Sequence, residues 1–455
     1  MDISLTKEKL KNIYGKVSPF EFKDKLLQLA YLNNNKILDA GRGNPNWTAA
    51  TPRQAFFTFG QFAVLETQRS LNIGDLAGMV QKDGIAKRLL DYIKSNPSLP
   101  GINLINKIYE YGVNTLGFNE DEWVFELTDG IIGDNYPVPD RMLVHIEKIT
   151  NKYLLKELCG DTEFEGNFDV FGVEGGTAAM CYIFDSLVVN NLLKSGDTIA
   201  LMTPIFTPYL EIPHLPNYKF NVINIKANEV DENGNPTWQY PKEELNKLKD
   251  KNIKVLFVVN PNNPASIALS RDCKDNLISV VKEHNPELMI VTDDVYCTFV
   301  DNFNSLVSEL PYNTLGVYSY SKYFGVTGWR LGTIFLNEKN IFNDLIKKLS
   351  PAMKNELNER YKHLCQNPTE LSFMDRLVAD SRQVALNHTA GLSTPQQVQM
   401  AFFSLFALID KENTYKQLTK DICKSRKDLL FNGLELEYEK SRHDAAYYTE
   451  LNILD

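Results

Sequence analysis

At 455 residues the chain is longer than one ordinary hydrophobic core supports, so two domains are expected. Its composition, 43% hydrophobic and 23% charged, is that of a globular protein, and a net charge of −10 argues against bulk nucleic-acid binding, which needs a basic face. No apolar run is long enough to span a bilayer and the first ten residues are too charged for a signal peptide, so a cytoplasmic protein with no membrane contact is expected.

In chain order, residues 5–32 place lysines and leucines at roughly helical spacing, which predicts one or more amphipathic helices. The loop Gly41-Arg42-Gly43-Asn44-Pro45-Asn46-Trp47 cannot continue a helix, and residues 53–95 read as helical with breaks at the glycines. From about residue 170 short apolar runs rich in β-branched residues recur between helical stretches, at 198–202, 221–225, 254–259, 288–292, 315–320 and 333–336. The unbroken run Val255-Leu256-Phe257-Val258-Val259 suits a strand covered on both faces, and the alternation with helices predicts an α/β fold with a mainly parallel sheet. After about residue 340 the chain is mostly helical and charged, and residues 445–454 look strand-like. The six cysteines form no CxxC pair and the six histidines are scattered, so reduced thiols and no metal site are expected.

Ligands of such a sheet sit beyond the carboxyl ends of its strands, so the polar residues there carry the chemistry. Val173-Glu174-Gly175-Gly176-Thr177 opens an Ala-rich helix; free N–H groups at Gly176 and Thr177 would cradle a phosphate, although a glycine pair is also an ordinary tight turn. Phe206 follows the 198–202 run and is either a stacking surface for a flat ring or plain core. Asn260-Pro261-Asn262-Asn263-Pro264 makes a rigid turn with an amide at Asn263. Asp293 ends a strand with Tyr296 three residues on; a carboxylate there would keep a pyridine nitrogen protonated, while a helix cap is the plainer alternative. Ser319 ends the next strand, followed by Lys322 and, eight residues later, Arg330. Such a lysine can form a Schiff base with an aldehyde cofactor, with the serine and arginine on a phosphate; alone, a strand-end lysine is usually a solvated charge.

Taken together and in this order, from about residue 41 to 399, these segments resemble the aspartate aminotransferase family of fold type I pyridoxal 5'-phosphate (PLP) enzymes. The resemblance implies a large PLP-binding domain at 53–405, an N-terminal segment at 1–52 and the start of an α+β small domain at 406–455. It implies Lys322 as the cofactor lysine and proton shuttle, Asp293 on the pyridine nitrogen, and Tyr296 and Asn263 on the ring oxygen. Gly176, Thr177, Ser319 and Arg330 would hold the phosphate and Phe206 would stack on the ring. The loop 41–47 and residues 51–57, 130–137 and 203–213 further resemble the aspartate 4-decarboxylase branch. That implies β-decarboxylation of L-aspartate to L-alanine and CO2 with some amino transfer, Arg42 and the Gly43 backbone at the substrate, and Tyr136 reaching a site shared across a homodimer. An aspartate or alanine aminotransferase, or a non-catalytic PLP-fold scaffold or sensor, are the alternatives. No arginine after Arg330 matches the one that binds the substrate α-carboxylate in the family's small domain, so a C-terminally incomplete small domain is expected.

Overall fold

Seven strands form one sheet in the order β1-β7-β6-β5-β4-β2-β3. They are β1 (Phe168–Val173), β2 (Thr198–Thr203), β3 (Asn221–Lys226), β4 (Ile253–Val259), β5 (Met289–Asp293), β6 (Thr314–Ser319) and β7 (Gly332–Asn337). Strands β2 to β6 pair in parallel, and β7 runs antiparallel to both β6 and β1. The computed structural model describes residues 19–32, 43–75, 77–160, 162–382 and 391–451. The chain divides into two units, 1–45 and 46–455. In the first unit the described helix is α1 (Pro19–Leu32); the remainder of the stretch predicted helical from residue 5 lies outside the described residues.

The sheet is apolar on both faces because its residues alternate between two cores. Val255, Phe257 and Val259 of β4, with Met289, Val291, Leu315 and Val317, meet one cluster, and Leu256, Val258 and Ile290 meet another. Strands β5, β6 and β7 are buried along their whole length. At about 1.5–3 kcal/mol per fully buried Val, Leu or Phe, this double burial is the largest favourable contribution to the fold. Helix α2 (Ala50–Ser70) turns Ala55, Phe59, Phe62, Ala63 and Glu66 inward at helical spacing, and Arg88 pairs with the buried Glu66 carboxylate at 2.8 Å. It packs with α3 (Glu120–Ile132), while α4 (Val144–Cys159) and the helix Thr394–Ile409 close the same core. Helix α5 (Gly176–Val189) covers the sheet's other face through Ala179, Met180, Ile183, Phe184 and Leu187. Towards the C-terminus lie α6 (Thr394–Ile409) and α7 (Thr414–Gly433).

Two elements differ from expectation. Strand β1 was not foreseen, because Asp169 and Gly172 interrupt its apolar run; its outer position is compatible with both, and Arg141 pairs with Asp169 at 3.0 Å. The strand expected at 445–454 does not form through residue 451. Its backbone instead bonds the loop after β4: Ala268 N–H donates to His443 O (2.8 Å), Ala445 N–H to Ser266 O (2.8 Å) and Tyr448 N–H to Ser266 Oγ (2.8 Å). The aromatic residues that made this stretch look strand-like are used in ring packing against Trp47, Tyr296 and Phe299.

Candidate active site

The sheet register assembles the site. Val173 of β1 and Ser319 of β6 both lie opposite Gly332 of β7, and Asp293 of β5 lies opposite Val317 of β6 and Val259 of β4. Strands β1, β4, β5 and β6 therefore end at one edge, where β7 begins just after Arg330. An atom built as Cβ on Gly176 would lie 3.9 Å from both Asp293 Oδ2 and Ser319 Cβ, so three strand ends meet within one side-chain radius.

Lys322 and Asp293 face each other electrostatically across this edge. Burial, with Arg330 adding to it and Asp293 opposing, pushes the Lys322 amine down to about 8. Burial pushes Asp293 up to about 6, against the Val295 N–H, the Tyr209 hydroxyl and Lys322. Tyr209 donates to Asp293 Oδ2 at 3.4 Å and Val295 N–H to Oδ1 at 3.3 Å, which fixes the carboxylate plane. Beside them the Asn263 amide donates to the Tyr296 hydroxyl at 3.3 Å. The ring of Tyr447 stands with its centroid 5.8 Å from the Lys322 Nζ. Phe206 starts the short helix Thr207–Glu211 and packs, half-buried, in the cluster that contains Tyr209 and Phe257.

The other end of the site is built for an anion. Helix α5 starts at Gly176 with no side-chain cap on its first N–H groups, so the positive end of its dipole is open. Gly175 has φ 93°, and a Cβ there would lie 2.4 Å from an Arg330 guanidinium nitrogen; only glycine lets the guanidinium approach the helix start. Arg330 is anchored by donation to Thr327 O at 3.0 Å, and the Ser319 hydroxyl is buried beside Ser321, 3.0 Å between oxygens. Thr177 is exposed in the first turn of α5.

The loop after Lys322 is clamped from the start of the unit. Trp47 Nε1 donates to Tyr323 O (3.0 Å), Ala49 N–H to Phe324 O (3.1 Å) and Arg53 to Gly325 O (2.6 Å). Gly325 has φ 62°, and a Cβ there would stand 2.0 Å from Trp47 O, so the two strands of chain touch backbone to backbone.

The profile of the family described as aminotransferase class I and II matches residues 173–443, which span this whole edge. The bifunctional aspartate aminotransferase and L-aspartate beta-decarboxylase of a Pseudomonas species is 45% identical over 441 residues, 96% of this chain and 82% of that protein. The chain belongs to the class I and II aminotransferases. A histidinol-phosphate aminotransferase of Methanocaldococcus jannaschii is 26% identical over 67% of this chain and 78% of its own. Aspartate aminotransferase from Thermus thermophilus with maleate superposes at a TM-score of 0.49, with 17% identity over 73% of this chain and 69% of that one.

The cofactor of these aminotransferases is PLP, and the residues present fit it. A buried amine of lowered pKa, a buried carboxylate of raised pKa, a phenol with an amide partner, and an uncapped helix start beside a guanidinium match its aldehyde, pyridine nitrogen, ring oxygen and phosphate. Gly175→Ala drives a methyl group into Arg330, and PLP affinity is expected to fall about 10- to 100-fold, the worth of a charge-assisted phosphate contact. Equilibrium dialysis checks this; an unchanged Kd would place the phosphate elsewhere.

Three further residues were named from sequence. Arg42 lies outside the described residues. Gly43 belongs to the first unit. Tyr136 is 70% exposed in the connection between α3 and α4, with no hydrogen bond or ring contact among the described residues. Sequence reasoning missed Tyr209 and Tyr448. The signal for Tyr209 was its spacing, three residues beyond Phe206 on one short helix. Tyr448 carried no local signal, because its role depends on a fold-back onto the loop after β4.

Proposed function

We propose that the chain is a PLP-dependent β-decarboxylase of L-aspartate, yielding L-alanine and CO2, with amino transfer as a side activity. The 45% identity over 96% of the chain to a protein named for both activities carries this reading. Bound at this edge, PLP supplies an electron sink for charge developing at Cα and, after proton relocation, at Cβ of the amino acid.

The chain's own residues do the rest. Lys322 tethers the cofactor and, released by the substrate amine, moves protons at Cα. Asp293 holds a proton on the pyridine nitrogen, because a buried carboxylate raised by desolvation is stabilised by a cation placed against it. Tyr296 and Asn263 hold the ring oxygen; Gly176, Thr177, Ser319 and Arg330 hold the phosphate; Phe206 covers the ring. The side-chain carboxylate of aspartate leaves as CO2 and one solvent proton takes its place on Cβ, which balances the reaction.

Arg42, with the Gly43 backbone, is assigned to a substrate carboxylate, and Tyr136 to the site of a second subunit in a cytoplasmic homodimer. The outer face of α2 supports association, since Phe57, Val64 and Leu65 are exposed on one side of that helix. No helix among the described residues is long and apolar enough to cross a membrane.

L-Aspartate labelled in its side-chain carboxylate tests the reading. Labelled CO2 is expected in equal amount to alanine. Amino transfer to a 2-oxo acid without CO2 release would make the protein an aminotransferase instead.

A further inference from the structure

We propose that Tyr448 is a positioning residue for Tyr296, the third member of a hydrogen-bond chain that runs Asn263, Tyr296, Tyr448 along the ring-oxygen side of the site. The inference rests on the assignment of Tyr296 to the cofactor's ring oxygen. The Tyr296 hydroxyl receives the Asn263 amide at 3.3 Å and donates to the Tyr448 hydroxyl at 3.2 Å. The two rings meet edge to face at 5.6 Å.

Tyr448 is not a loose surface phenol. Ser266 accepts its N–H at Oγ and accepts the Ala445 N–H at its carbonyl, both at 2.8 Å. Asp444 accepts the Ala446 N–H at 2.7 Å and is paired with Lys427 at 2.5 Å. The turn at 443–448 is thus stapled to the same loop that carries Asn263, and the two partners of Tyr296 are held by one backbone assembly. Next to Tyr448, the Tyr447 ring packs on Tyr296 at 5.0 Å and Phe299 at 5.2 Å and walls the Lys322 amine.

A phenol has one proton and two lone pairs. With Asn263 on one lone pair, Tyr296 gives its proton to Tyr448 while the site holds no other acceptor. When an oxygen acceptor arrives on the cofactor side, the Tyr296 proton turns to it, and the Tyr448 hydroxyl, itself a rotor, turns to donate to the second lone pair. Two donors into the Tyr296 oxygen polarise its own O–H and strengthen the bond it makes. Tyr448 therefore sets both the position and the donor strength of Tyr296. The titratable groups that face Tyr296 are Tyr448, Tyr447 and Asp293, and the test alters the first alone.

The test uses the full chain loaded with PLP, as wild type, Tyr448→Phe, Tyr296→Phe and the double variant. The readouts are the pH midpoint of the visible absorption band and the PLP dissociation constant. Phenylalanine keeps the ring and its edge contact, and thermal melting confirms folding. A donor bond to the ring oxygen favours its anionic form, so weakening it raises the midpoint. Tyr448→Phe is expected to raise it by about half a pH unit, the size of one neutral hydrogen bond, and Tyr296→Phe by more. In the Tyr296→Phe background the second substitution is expected to add nothing, because Tyr448 acts only through Tyr296. An unmoved midpoint in Tyr448→Phe, or a shift that persists in full without the Tyr296 hydroxyl, overturns the role of Tyr448 alone. A wild-type chain that forms no visible band with PLP overturns the site assignment and this inference together.

Discussion

Lys322→Ala is expected to remove the borohydride-trappable adduct with PLP completely and to lower turnover by about 10,000-fold or more, the scale of losing a covalent nucleophile and proton carrier together. The physical ground is the amine's environment. Burial, with Arg330 adding to it, brings Lys322 from 10.5 to about 8. At pH 7 such an amine is neutral in about one molecule in ten, against about one in 3,000 for an ordinary lysine, a gain of about 300-fold in the nucleophilic form. Asp293 opposes the shift. Mass spectrometry after borohydride treatment locates the adduct. An adduct surviving on another lysine in the variant would end the assignment.

Asp293→Asn is expected to lower kcat/KM by about 100- to 1,000-fold while PLP still binds, because on the proposed assignment the amide removes the charge against the pyridine nitrogen but not the contacts at the phosphate. The same change lowers the pKa of Lys322 further, since the carboxylate that opposes its depression is lost. The pH dependence of stability checks this independently of activity. The folded pKa of Asp293 is raised from 3.8 to about 6 by burial, so its contribution to the unloaded chain is fully present below about pH 4 and is lost as pH rises through 6. The neighbouring Asp294, pushed up to about 7 by burial, adds a loss of the same sign. Thermal melting of the unloaded variant is therefore expected to fall less between pH 4 and 7 than that of wild type, by a few kcal/mol of stability. Equal pH dependence of the two would show that Asp293 is not the buried ionised group.

What the sequence showed and what it hid follow from the range of the interactions. Strands β4, β5 and β6 were legible because both their faces are buried, which writes an unbroken apolar run. Strand β1 was not, because at the sheet edge Asp169 finds Arg141 and needs no apolar neighbour. Asp293 and Ser319 end strands and Lys322 follows three residues after one, so their position followed from the apolar runs of β5 and β6. Tyr209 and Tyr448 did not, since each acts through a single hydroxyl contact with a partner 84 and 152 residues away. The strand-like look of 445–454 came in part from Tyr447 and Tyr448, whose rings pack on Trp47, Tyr296 and Phe299, with the backbone bonded to the loop that follows β4.

The clamp between residues 47–53 and the Lys322 loop has a bearing on biogenesis. One of its bonds joins positions 276 residues apart, and another segment of the pocket arrives only with Tyr448. During synthesis the inner strands can pair long before residues 443–448 arrive to complete this side of the pocket, so retention of a vitamin-derived ligand comes after the early folding of the sheet. At a hundredfold excess over Kd it adds about 2.7 kcal/mol to a fold whose total margin is about 5–15 kcal/mol.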